Sequence, residues 1–96
     1  MLKENEQEFL DLLLEVAKHD RSRLFDQQEL ASRAGVSRTT VSNFERGKPV
    51  SSHALIGILS EIGTLSVLQD ALLTYRESLG TKLNQRKTVS ELDNDF

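Results

Sequence analysis

The residues best equipped for chemistry lie between positions 37 and 48, where Arg38, Thr39, Ser42, Asn43 and Arg46 recur one, three, one and three residues apart. Wound into a helix, that spacing gathers a guanidinium pair, two hydroxyls and an amide on one strip. These are the donors and acceptors that meet base edges and phosphate oxygens. Catalytic and metal chemistries find no comparable set. Neither His19 nor His53 is followed at i+3 or i+4 by a metal-ligating residue, so both read as surface or helix-terminal histidines. The carboxylates fall along a helix face and form no isolated pair. No nucleophile elbow, phosphate-cradling glycine loop or metalloprotease signature occurs. The chain has no cysteine, hence no disulfide, no thiolate zinc site and no cysteine nucleophile. The expectation is a non-enzymatic protein with no cofactor and no metal.

The elements that must hold this strip are written in repeated local chemistry. Phe25-Asp26, Val36-Ser37 and Val50-Ser51 each put an apolar residue before a capping side chain, with Leu30, Val41 and Leu55 placed to complete a hydrophobic staple. Glu29 stands where it could close a capping box with Asp26. Gly35 follows Gln27–Ala34 and Gly47 follows Arg38–Arg46, each where a left-handed residue ends a helix, and Lys48-Pro49 blocks continuation past the second. Two helices therefore meet at the corner Gly35-Val36-Ser37, a connection typical of a helix-turn-helix. Leu30, Ala31, Ala34, Val36, Val41 and Phe44 are apolar or small and should face the rest of the bundle, with Ala31 at the closest approach of the two helices.

Around this motif the pattern stays helical. Phe9, Leu12, Leu13, Val16 and Ala17 suggest a first helix buried on one face and acidic on the other, broken at Arg21-Ser22-Arg23. Leu55, Ile58, Leu59 and Ile62 mark a fourth helix ending at Gly63. A fifth should start near Thr64 or Ser66, with Leu68, Leu72, Tyr75 and Leu79 at alternating spacings of four and three, a seam as well as a core stripe. Beyond Gly80 only Leu83, Val89, Leu92 and Phe96 interrupt polar and charged residues, and a poorly ordered tail is expected.

Length and composition agree. Ninety-six residues support one core, and sixteen Leu against six Val and three Ile lean toward helix. Apolar runs are far too short for a membrane span and the amino terminus is acidic, so an intracellular, cytoplasmic address is expected. The net charge of −3 conceals an uneven distribution. Residues 1–20 hold two Lys against six carboxylates, residues 21–48 six cations against three, and residues 49–96 four against six. The basic middle suits a polyanion. On charge alone, an Arg-rich solvated face reads equally well.

The pattern F-D-Q-Q-E-L-A-x-x-A-G-V-S-x-x-x-V-S-x-F-E-x-G over residues 25–47 resembles the helix-turn-helix of the lambda repressor/Cro-like (XRE) family, and the likeness extends over about 9–79. It implies an all-α, five-helix lambda-repressor-like DNA-binding domain over residues 1–79, with its motif at 27–46, followed by a polar tail over 80–96. It also implies that the second motif helix, 38–46, enters the major groove of double-stranded DNA amino end first. Carried over by position, Arg38, Thr39, Ser42 and Asn43 become base-reading residues, Arg38 toward guanine and Asn43 toward adenine. Gln27, Ser37, Arg46 and Lys48 become backbone contacts, and Gln27 also braces the recognition helix. Glu45 corresponds to an acidic residue that pairs inward with a cation of the first helix, for which Lys18 is the expected partner, while Arg21 and Arg23 read as loop charges. Leu68, Leu72, Tyr75 and Leu79 become a homodimer interface. The function implied is a repressor acting on a near-palindromic operator. The alternative is an antitoxin of a Hip-type module that also binds a toxin kinase, with the tail as the discriminating feature.

Overall fold

The computed structural model describes residues 2–86, with side chains placed as far as Gly80. Five helices follow in order: α1 Glu4–Leu24, α2 Gln27–Ala34, α3 Arg38–Glu45, α4 Ser52–Glu61 and α5 Thr64–Arg86. No strand occurs among the described residues, and no single helix among them is long and apolar enough to cross a membrane. The fold is all-α, of the helix-turn-helix kind. The chain divides into a unit ending at Ser66 and a second beginning at Val67, whose described part is the continuation of α5.

All three helix starts read from the sequence are capped as expected. Asp26, Ser37 and Ser51 each accept the backbone N–H three residues on, at 2.7, 3.0 and 3.0 Å, satisfying a donor that has no partner within the helix. The reciprocal half of the box at Asp26 does not form. The Glu29 carboxylate pairs instead with Arg33 one turn on, at 3.1 Å, and the Arg33 guanidinium lies 4.5 Å from the centre of the Phe25 ring. Both stops are Schellman closures. Val36 and Gly35 donate to the carbonyls of Ala31 and Ser32, and Lys48 and Gly47 to those of Asn43 and Phe44. Gly35 and Gly47 have φ of 71° and 76°, the left-handed region that a Cβ disfavours.

The core of the first unit is built from Leu14, Ala17, Leu30, Ala31, Val41, Phe44, Ala54, Ile58, Leu59 and Ile62. Helix α2 packs on both α3 and α4, and α3 also meets α1 and α4. The buried stripe of α1 differs from the expected one. Leu10, Leu13, Leu14 and Ala17 face inward, whereas Phe9, Leu12 and Val16 are exposed. Two overlapping helical series run through this apolar segment, and the inward one is the one continuous with Asp20 and Arg21, both of which find polar partners across the core. The expected break at Arg21-Ser22-Arg23 is also absent: α1 runs on to Leu24, because Arg21 is an inward residue of the same stripe.

Helix α4 buries the expected Ile58, Leu59 and Ile62, and α5 begins at Thr64 after Gly63. The Thr64 hydroxyl, almost wholly buried, donates to Asp20 Oδ2 at 2.8 Å and so ties the start of α5 to α1. Thr81–Arg86, part of the expected tail, are helical. Residues 87–96, on which the tail and antitoxin expectations chiefly rest, lie outside the described residues.

Candidate nucleic-acid interface

Helix α3 divides cleanly. Val41, Phe44 and Glu45 are buried, while Arg38, Thr39 and Arg46 are exposed and Ser42 and Asn43 half-exposed. The five polar residues singled out from the sequence therefore share one outward strip, as a 100° step per residue dictates. Its amino end is finished by Ser37, whose hydroxyl accepts Thr40 N–H and lies 2.9 Å from Thr40 Oγ1. The uncapped N–H groups and the helix dipole give that end partial positive charge, with Arg38 beside it. At the other end Arg46 caps the helix and donates through Nη2 to Asn43 Oδ1 at 3.0 Å. Asn43 must release or share that oxygen to read an adenine by both amide groups. Lys48 is exposed just past the Schellman turn. Within 21–48 two cations are taken by carboxylates, Arg21 by Glu45 and Arg33 by Glu29. Arg23, Arg38, Arg46 and Lys48 make no ion pair among the described residues.

What fixes the strip is a buried polar cluster behind it. Glu45 is 7% exposed and accepts three hydrogen bonds: from Arg21 Nε at 2.7 Å, Arg21 Nη2 at 2.9 Å and Gln27 Nε2 at 2.9 Å. Arg21 Nη1 also reaches the Phe25 carbonyl at 3.3 Å. One residue each from α1, α2 and α3 thus meet at a single carboxylate, and the bidentate fork sets their relative rotation. Burial alone would push the Glu45 carboxyl up. The Arg21 hydrogen bonds, the Gln27 amide and the nearby charges of Arg21 and Lys18 outweigh it and hold the carboxyl below its ordinary range. The Arg21 guanidinium is correspondingly pushed up, chiefly by its hydrogen bonds to Glu45.

This geometry corrects two sequence expectations. The inward partner of Glu45 is Arg21, not Lys18, which acts on it only as a neighbouring charge. Arg21 is accordingly no loop cation free for phosphate. The signal was present in the sequence, since Arg21 continues the inward 10, 14, 17 series of α1 by one turn. Gln27 does brace α3, through Glu45. One of its two amide N–H groups is used inward, leaving one donor for a phosphate oxygen. Asp20 with Thr64 is a second polar tie that sequence reasoning missed.

Residues 22–67, which hold the cluster's Gln27 and Glu45 and the whole of α3, match the family model described as Helix-turn-helix. This segment belongs to the lambda repressor/Cro-like (XRE) helix-turn-helix family. The match supports a DNA-binding transcription regulator of the XRE type, with double-stranded DNA as its ligand. Comparison with curated proteins and with solved structures gives no match. In helix-turn-helix terms α2 is the first motif helix and α3 the second, and the Arg21–Glu45–Gln27 cluster locks one to the other and both to α1.

Proposed function

We propose that this helix-turn-helix protein is a repressor that binds a near-palindromic operator as a homodimer, with residues 1–79 as its DNA-binding domain. The observation that carries this reading is the outward strip of α3, polar along its whole length and rigidly backed by the Glu45 cluster. Arg38, Thr39, Ser42 and Asn43 are its base-reading residues. Gln27, Ser37, Arg46 and Lys48 hold the backbone. Ser37 does so from the capped amino end of α3, where backbone N–H groups also point outward. A dimer through Leu68, Leu72, Tyr75 and Leu79 would set two recognition helices roughly 34–36 Å apart on one face of the duplex. Half-exposed Leu68 and Leu79, with Leu72 and Tyr75 more than half exposed, suit that role.

The test is selection of bound duplexes from a random pool, followed by titration of the selected and scrambled duplexes. Arg38→Ala should cost roughly 1–3 kcal/mol on the selected site and relax preference at one base pair, whereas Lys48→Ala should weaken both duplexes alike and lower the salt slope by about one. Equal losses on both duplexes for Arg38→Ala would remove Arg38 from base reading. A pool that yields no preferred sequence would remove the sequence-specific reading altogether.

A further inference from the structure

Asn43 and Arg46 stand three residues apart on the outward strip, near enough along a helix for their side chains to meet. They do meet: Arg46 Nη2 donates to Asn43 Oδ1 at 3.0 Å, the one side-chain hydrogen bond that Asn43 makes among the described residues. The backbone holds the two in place. The Asn43 carbonyl accepts the N–H groups of Arg46 at 3.2 Å and Lys48 at 2.8 Å, so the turn that closes α3 also sets the step from one side chain to the other.

A carboxamide turned end for end keeps its shape but exchanges a donor for an acceptor, and its partners decide which way round it sits. A guanidinium carries donors only. Beside Arg46 the oxygen of Asn43 faces the guanidinium, because the reversed amide would set an NH2 group against N–H groups with no acceptor between them. The donor is charged, which makes the bond stronger than a neutral one. At a base edge this order of donor and acceptor carries information. In the major groove adenine and cytosine present amino groups, N6 and N4, whereas guanine and thymine present keto oxygens, O6 and O4. An amide free to reverse satisfies either class. An amide held one way round suits one class and mismatches the other.

Resting on the base-reading role proposed above for Asn43, we infer that Arg46 is a positioning residue for sequence recognition: it fixes the order of donor and acceptor that Asn43 presents, and so makes one base position selective between amino and keto bases without touching a base itself. One guanidinium N–H is used on Asn43, and the others stay available to a phosphate oxygen. The backbone contact of Arg46 and the base contact of Asn43 then act as one unit, and a phosphate that orders the guanidinium also orders the amide.

The test selects bound duplexes from a random pool with the parent protein, Asn43→Ala, Arg46→Met and the double variant. Circular dichroism confirms folding, and Arg46→Ala serves as a second replacement. Asn43→Ala identifies the base position that Asn43 reads, as the one whose preference it removes. Arg46→Met should lower the ratio between amino and keto bases at that same position by about fivefold or more, leave the other positions as in the parent, and change that position no further once Asn43 is Ala. A uniform fall in affinity with every preference preserved overturns the inference, since Arg46 then serves the phosphate backbone alone. Loss of preference at a position other than the one Asn43 reads overturns it as well, since Arg46 then reads a base directly. If Asn43→Ala alters no position while the parent remains selective, Asn43 is not a base reader, and the inference falls with that one assignment. A parent protein that selects no sequence removes the sequence-specific reading of the whole strip.

Discussion

Replacing Arg21 by Met would remove the charge that opposes Glu45 while keeping most of the aliphatic stem that packs beside it. The loss is large because the carboxylate stays behind. Its side chain is 6% exposed against 19% for Arg21, and after the change only the Gln27 amide remains as a direct partner. Removing one member of a buried pair typically costs about 3–5 kcal/mol. With Gln27 in place and Arg21 partly solvated, the lower end applies, about 3 kcal/mol, or roughly 12–24 °C in Tm for a chain of this size. The pH dependence is the sharper expectation. In the parent protein the Glu45 carboxyl is held below its unfolded value, so its contribution is present above about pH 4.3 and is lost as pH falls through the lower folded value. In the variant burial dominates and lifts the carboxyl above its unfolded value. Protonation then relieves the buried charge, and acid costs the variant less than it costs the parent. Urea unfolding of both proteins side by side, at one protein concentration from pH 7 to pH 3.5, isolates the difference, since every other carboxylate is common to both. A gap that stays constant across that range, or one below about 1 kcal/mol at pH 7, would refute the account of the cluster.

Gly35→Ala meets open space and should lose only the left-handed penalty of about 1–2 kcal/mol. Gly47→Ala should lose more, because its Cβ would also press on Leu14 Cδ1 at 3.3 Å, and equal losses in thermal unfolding would count against that contact. Thr64→Val keeps the shape but strands the Asp20 carboxylate, and should cost roughly 1.5–3 kcal/mol while leaving DNA preference unchanged. A change in the selected site for this variant would show that α5 communicates with the reading strip.

The motif was legible because its signals are local. Asp26, Ser37 and Ser51 cap through atoms three residues away, and Gly35 and Gly47 close their helices through bonds within one turn, so no distant partner has to be known. The strip on α3 follows from the same short range. What escaped is what distance decides. Helix α1 carries apolar residues around more than half its circumference, and periodicity cannot say which of two overlapping stripes turns inward until Arg21 and Asp20 find Glu45 and Thr64, 24 and 44 residues away. Arg21 looked like a loop charge for the same reason. In isolation Arg21-Ser22-Arg23 breaks an apolar pattern, and only the partner shows that the break is a continuation.

The net charge of −3 sets a limit on how this regulator holds DNA. A Debye length of about 10 Å at 0.1 M salt leaves contact distances unscreened but separates the acidic edge of α1 from any group more than two helix turns away. Local placement therefore outweighs the total. Of the six cations in residues 21–48, Arg21 and Arg33 face carboxylates of their own chain, which leaves Arg23, Arg38, Arg46 and Lys48 as the cations of that segment able to displace counterions. At about 0.9 per neutralised phosphate, the binding constant should fall with a log–log salt slope no steeper than roughly −4 per protomer, or about −7 for a dimer. The expectation is worked from four cations and is approached only if Arg23, at the end of α1, reaches the backbone. Titrations at several salt concentrations give the slope, and Arg23→Ala assigns one step of it. A slope far steeper than this would mean that cations outside residues 21–48 touch the duplex. The small cationic set would then no longer explain how an acidic protein binds an acidic polymer, and the specificity assigned to α3 would have to be shared with another element.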